Sequence, residues 1–145
     1  MAQFTIKLEN HLEEIERNAL KANSVQIGFM ENAVYGDGTQ VALVAMVQEF
    51  GSPINNIPPR PFFRTMIANE SPNWSALVKS NLQRTNYDAR RTLSLTGDTI
   101  AQQLKDSILN GNWAPNAPST IARKGFDRPL FELGLLASYP RYVVR

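Results

Sequence analysis

Val41-Ala42-Leu43-Val44-Ala45-Met46-Val47-Gln48-Glu49-Phe50-Gly51 is the stretch on which the fold turns, because its apolar, β-branched character suits a buried strand or a buried helix. The apolar residues from Gln40 to Phe50 fall nearly all round a helical wheel, and the run is long for one strand. Gly51 directly after Phe50 fits the position that ends a helix in a left-handed turn. These features predict a buried helix over residues 40–50. At seven residues, Val41 to Val47 is also the longest uninterrupted apolar run of the chain, far short of the roughly 20 that span a bilayer.

Upstream of this stretch, Leu8, Leu12, Ile15 and Ala19 recur at helical spacing, with Glu9, Glu13, Glu14 and Glu16 largely off the stripe, so residues 8–21 read as an amphipathic helix with an acidic face. Val25, Ile27 and Phe29 alternate with small or polar residues and predict a half-buried strand over 24–29. Tyr35-Gly36-Asp37-Gly38-Thr39 reads as a turn, with Thr39 placed to cap the helix that follows.

Downstream, four of the nine prolines lie between Pro53 and Pro61, which predicts an extended connector with Pro61 opening the next helix. Helices are expected over 62–70 and 74–91, parted by Ser71-Pro72-Asn73. A third is expected over 96–110, where Ile100, Leu104 and Ile108 keep i+4 spacing and Gly111 is the stop. After Trp113, proline returns at 115, 118, 129 and 140; a regular piece is expected only over 130–137, followed by a last strand at Tyr142-Val143-Val144. The expected fold class is α+β: one domain over 1–145, a small antiparallel sheet packed by three to four helices, a Pro-rich connector and an extended C-terminal segment.

Composition narrows the function classes. Of the 145 residues 43% are apolar and 19% charged, as in an ordinary globular domain, and there is no cysteine for a disulfide or a thiol nucleophile. The N-terminus lacks the apolar core of a secretory signal, which predicts a protein made and used without export. His11 is the single histidine, so neither a zinc site nor a His-dependent triad can be assembled; it reads as an ordinary surface residue of the acidic helix. Gly36-Asp37-Gly38 is not followed by a phosphate-loop pattern, and Asp98 and Asp106 are two helical turns apart. No enzyme class, metal or cofactor gains support.

Charge is uneven along the chain. Residues 1–50 carry three Lys/Arg against seven Asp/Glu, and residues 51–145 carry twelve against six. Such halves suit a nucleic-acid partner or a copy-to-copy contact between an acidic and a basic face. Arg84, Arg90 and Arg91 around Tyr87 form one basic cluster, and Arg123, Lys124 and Arg128 form another; each suits solvent, a neighbouring subunit or a DNA backbone. No motif for sequence-specific readout accompanies them.

Val47-Gln48-Glu49-Phe50-Gly51 followed by Ile57-Pro58-Pro59-Arg60-Pro61-Phe62-Phe63-Arg64 resembles the neck and tail-completion proteins of long-tailed bacteriophages, including the Mu-like virion morphogenesis group. In that family a helix ending in Glu-Phe-Gly and a variable loop precede a Pro-x-Arg-Pro-Phe segment that opens a long helix. A second stretch also resembles the family: Trp113-Ala114-Pro115, Lys124-Gly125, Arg128-Pro129-Leu130, Gly134-Leu135-Leu136 and the closing Tyr142-Val143-Val144. Phe131-Glu132-Leu133 stands where the family usually has Ile-Asp-Thr.

The resemblance implies a non-enzymatic virion protein, assembled in the host cytoplasm and placed at the head–tail junction. It would form a homo-oligomeric ring, six- or twelve-fold, that joins portal or adaptor proteins to tail-tube or terminator proteins around the path of the genomic DNA. A tail terminator capping the tail tube is the neighbouring expectation, and a small non-specific DNA-binding protein is the expectation of another class. On the ring reading, Glu13, Glu14 and Glu16 face a basic stretch of the next copy, and Glu49, Phe50, Arg60, Phe62 and Arg64 belong to the subunit interface. The intramolecular alternative has Phe50, Phe62 and Phe63 plugging the core and Arg60 pairing Glu49, since aromatic side chains form cores by default.

Overall fold

The computed structural model describes residues 2–114 and 135–145, with side chains from residue 7 in the first helix and from Leu136 in the last. The chain is α+β, as expected. In order it forms α1 (Ala2–Ala19), β1 (Val25–Gly28), α2 (Val41–Phe50), α3 (Phe62–Glu70), α4 (Trp74–Arg84), α5 (Ala89–Asn110), a single turn α6 (Leu135–Ser138) and β2 (Arg141–Val144).

The 22-residue α5, roughly 33 Å long at 1.5 Å per residue, is the spine. Its stripe of Ile100, Leu104 and Ile108 is buried as the i+4 spacing predicts, and it meets Val41 and Ala45 of α2, Phe62 and Met66 of α3, and Leu136 and Ala137 of α6. β1 and β2 pair antiparallel in the register Val25 with Val144 through Gly28 with Arg141. The ladder runs on past the strands, because the Arg145 carbonyl accepts from the Asn23 and Ser24 amides and the Arg145 amide returns a bond to Ser24. This small sheet lies against α5 at Gly97, where an added Cβ would stand 2.6 Å from the Tyr142 ring. Glycine in a helix interior is otherwise unfavourable, and here it admits a close neighbour. The Phe29 ring meets Phe62 edge-on, with centroids 6.2 Å apart, and closes the core beneath the sheet.

Four local expectations are corrected. The helix expected over 74–91 ends at Arg84, and the one expected from 96 begins at Ala89. Between them Asn86 and Tyr87 adopt positive φ, and the Asp88 carboxylate accepts from the Arg91 amide as the N-cap of α5. Segment 52–57 is a closed loop rather than an extended connector: Ser52 and Ile57 exchange backbone hydrogen bonds around a 3₁₀ turn at Pro53–Asn55. Gln40 occupies the N-cap position of α2 without a side-chain bond; Thr39 instead donates its amide to the Asp37 carboxylate inside the turn, which lowers the Asp37 pKa. Finally α2 is a helix, but it is buried on one face only. Val41, Ala45 and Glu49 point inward, while Leu43, Met46 and Phe50 are exposed. The regular piece expected over 130–137 is seen only as α6, and its earlier part lies outside the described residues.

Four polar side chains are buried between α4 and α5. Asn81 donates to the Thr96 hydroxyl at 3.1 Å, Thr96 donates to the Thr92 carbonyl, and the Thr85 and Thr92 hydroxyls lie 2.7 Å apart. Each is satisfied within the helical hairpin, so the burial carries no desolvation penalty for an orphaned group.

Candidate subunit interface

The two halves of the Glu49-Phe50-Gly51 and Arg60-Pro61-Phe62 pattern meet at the start of α3. A helix begins with unpaired backbone N–H groups, and Pro61 in the N-cap position has no side chain to accept them. Glu49, in the last turn of α2, does so from across the junction: its carboxylate accepts from the Phe63 amide at 2.8 Å and the Arg64 amide at 3.1 Å. It also accepts from Arg64 Nε at 2.8 Å, and a second Arg64 nitrogen donates to the Glu49 carbonyl. An anion at a helix N-terminus is further favoured by the helix dipole.

Gly51 lets the chain turn there. Its φ is +75°, and an added Cβ would lie 2.7 Å from the Ile57 carbonyl oxygen and 2.8 Å from Pro59 N. Arg60, 5% exposed, runs inward; its amide bonds the Gln48 carbonyl, and its guanidinium donates to Gln48 Oε1 and, at 2.9 Å, to the Ala114 carbonyl. The expected Arg60–Glu49 pair is therefore corrected: Arg64 takes Glu49, and Arg60 fastens α2 to Ala114, shortly after α5.

The aromatic residues divide in the same way. Phe62 is 1% exposed in the core and Phe63 packs against it, whereas Phe50 is 63% exposed with the Arg64 guanidinium 5.0 Å from its ring centroid. So Phe50 does not plug the core. Of the residues expected at an interface, Glu49, Arg60 and Phe62 are turned inward, and Phe50, Arg64, Glu13, Glu14 and Glu16 remain at the surface.

Phe50 is one of several large apolar side chains left in water. Leu43 and Met46 of α2, Ile54 at the tip of the closed loop and Ile67 of α3 are all exposed, Ile54 at 95%. Between α2 and α3 an open cavity of about 330 Å³ is lined by Phe29, Ala42, Met46, Phe50, Phe63 and Arg64, among others. An open apolar cavity with a charged side chain at its edge is a feature of protein contact sites.

The basic cluster at the α4–α5 junction is exposed at Arg84, Arg90 and Arg91. Arg90 donates to the Lys21 carbonyl just beyond α1, Lys21 Nζ meets the Asp88 carboxylate at 2.7 Å, and Asn18 donates to the Asn86 carbonyl. These bonds tie the C-terminal end of α1 to the junction. The Lys21 ammonium and the Arg91 amide together hold the Asp88 carboxyl below its ordinary value. Arg123, Lys124 and Arg128, the second expected cluster, lie outside the described residues.

His11 is exposed on α1, and among the described residues no group of three or more His or acidic side chains gathers in a way that could hold a metal ion. No helix of the described residues is long and apolar enough to cross a membrane. Compared with known family models, characterised proteins and solved structures, the chain matches none.

Proposed function

We propose that the chain is a structural, non-enzymatic subunit of a long-tailed bacteriophage virion. It forms a homo-oligomeric ring at the head–tail junction, where it joins the portal side to the tail around the DNA path. The observation that carries this reading is the pairing of a tightly built Glu49–Gly51/Arg60–Phe62 junction with the uncovered apolar face of α2 at Leu43, Met46 and Phe50. The resemblance to neck and tail-completion proteins includes the Glu49–Gly51 and Arg60–Phe62 residues of that junction. A domain that holds an apolar helix face open to water is suited to work through contacts with other chains. A ring needs two different patches per copy, used head to tail and closing by rotation.

The experiment is to mix purified protein with phage heads and tails that lack the junction component and to score joined particles by electron microscopy. Joined particles support the reading, and unchanged heads and tails contradict it. Capping of tail tubes without joining assigns the neighbouring role of tail terminator. Exposed Arg84, Arg90 and Arg91 favour a second reading, a small non-specific DNA-binding protein. That reading requires the isolated monomer to bind duplex DNA with a steep salt dependence; the ring subunit shows little DNA affinity before assembly.

A further inference from the structure

We propose that α1 of one copy docks in the α2–α3 groove of the next, so that the N-terminal helix is the connecting arm of the assembly; this rests on the reading of the chain as a self-assembling subunit. The helix is fixed at one end and uncovered at the other. Bonds from Asn86, Asp88 and Arg90 hold its C-terminal end, and Ile15 is half-buried there. One and two turns earlier on the same stripe, Leu12 is 55% exposed and Leu8 is 48% exposed. No residue lining the groove comes from α1, so the helix does not fill its own chain's cavity. Each copy thus presents an apolar ridge and an apolar trough on different surfaces, the requirement for a heterologous contact. An amphipathic helix laid in a groove through i, i+4 anchors is a common recognition mode.

Charge gives the pairing its direction. At 100° per residue, Glu9 and Glu16 fall together along one side of the Leu8–Leu12 stripe. Neither makes a salt bridge among the described residues; on α1 only Glu13 is paired, with Arg17 at 3.8 Å. At the groove the anion of the Glu49–Arg64 pair is only 7% exposed and the cation is 58% exposed, so the rim shows positive charge to a partner. Acidic flank against basic rim favours α1 in the groove over α1 against a second α1, which would bring like charges together.

The chain has no cysteine, so introduced thiols report contacts without background. Full-length Leu8→Cys and Leu12→Cys, each mixed with Met46→Cys under mild oxidation, should give mixed disulfide dimers at least tenfold above either homodimer. All three positions are exposed, and a melting curve for each variant confirms that it is folded. Glu9→Lys with Glu16→Lys should lower the mixed yield several-fold. Crosslinks confined to Leu12–Leu12 pairs overturn the proposal, as does the absence of crosslinks, an intrachain bond in the Leu12→Cys/Met46→Cys chain, or a yield indifferent to the charge reversal. Negative-stain images keep the two readings apart: rings without mixed crosslinks refute the arm and leave the ring, whereas mixed crosslinks in open chains only refute the ring and leave the arm.

Discussion

Glu49 is the residue on which the candidate site depends, and its partners differ in weight. Among the described residues the Phe63 and Arg64 amides have no other acceptor at the start of α3, whereas Arg64 keeps 58% of its side chain in water. Removing the carboxylate leaves two part-buried donors unsatisfied, while removing the guanidinium forfeits a pair screened by solvent. Glu49→Ala should therefore cost about 2–4 kcal/mol in urea unfolding, Glu49→Gln about half of that because one oxygen still accepts, and Arg64→Ala less than about 1 kcal/mol. An equal loss for Glu49→Ala and Arg64→Ala would show that the ion pair, not the cap, holds the junction. Gly51 adds a second test. Its positive φ and the 2.7 Å approach of Ile57 O leave no room for a methyl group, so Gly51→Ala should lower the unfolding midpoint. At Gly97, mid-helix, alanine gains about 1 kcal/mol of helix propensity but must displace the Tyr142 ring, and net destabilisation is expected in the same assay.

At the scale of elements, α1 is tied to the α4–α5 junction through its C-terminal end, and that anchorage depends on charge at Asp88. The Asp88 pKa lies below its ordinary value of 3.8, so the carboxylate favours the folded anchorage at pH values above 3.8. That contribution is lost as pH falls past 3.8 through the lower folded value. Amide exchange should accordingly show less protection in the last turn of α1 than in α5 at neutral pH, and the difference should widen below pH 3.8; α1 protection that does not change with pH contradicts the anchor. The expected core stripe Ile100, Leu104, Ile108 and the expected strands at 24–29 and 142–144 are where the sequence placed them, since regular apolar spacing survives any packing arrangement. The α4–α5 boundary was illegible because it rests on positive φ at Asn86 and Tyr87, which no periodicity marks; Asp88 three residues before Arg91 was the available capping signal. The buried Asn81, Thr85, Thr92 and Thr96 were missed because polar residues on a helix normally face water. Glu49 and Arg64 were expected at a subunit interface; the partners they take within the chain depend on how two helices meet, and that geometry is absent from a linear pattern.

For the whole molecule, the feature to be explained is that α2, apolar nearly all round, covers the core with one face and leaves Leu43, Met46 and Phe50 in water. A helix of that composition is ordinarily buried on all sides. Assembly into a ring would supply the missing cover, with the acidic first helix and the cationic rim at Arg64 setting which surface meets which. Replacing Met46 and Phe50 by serine should then leave the melting temperature within a few degrees of the parent, because both are exposed, while abolishing self-association. A large fall in melting temperature would mean that these side chains serve their own fold. The central claim, that the chain works by joining copies of itself, is tested most directly by light scattering across protein concentration and salt, with negative-stain images of any large species. The account predicts a mass that rises with concentration to a fixed multiple of the 16.2 kDa chain, seen as closed rings and weakened by high salt. A mass that stays at one chain at every concentration and salt would contradict it.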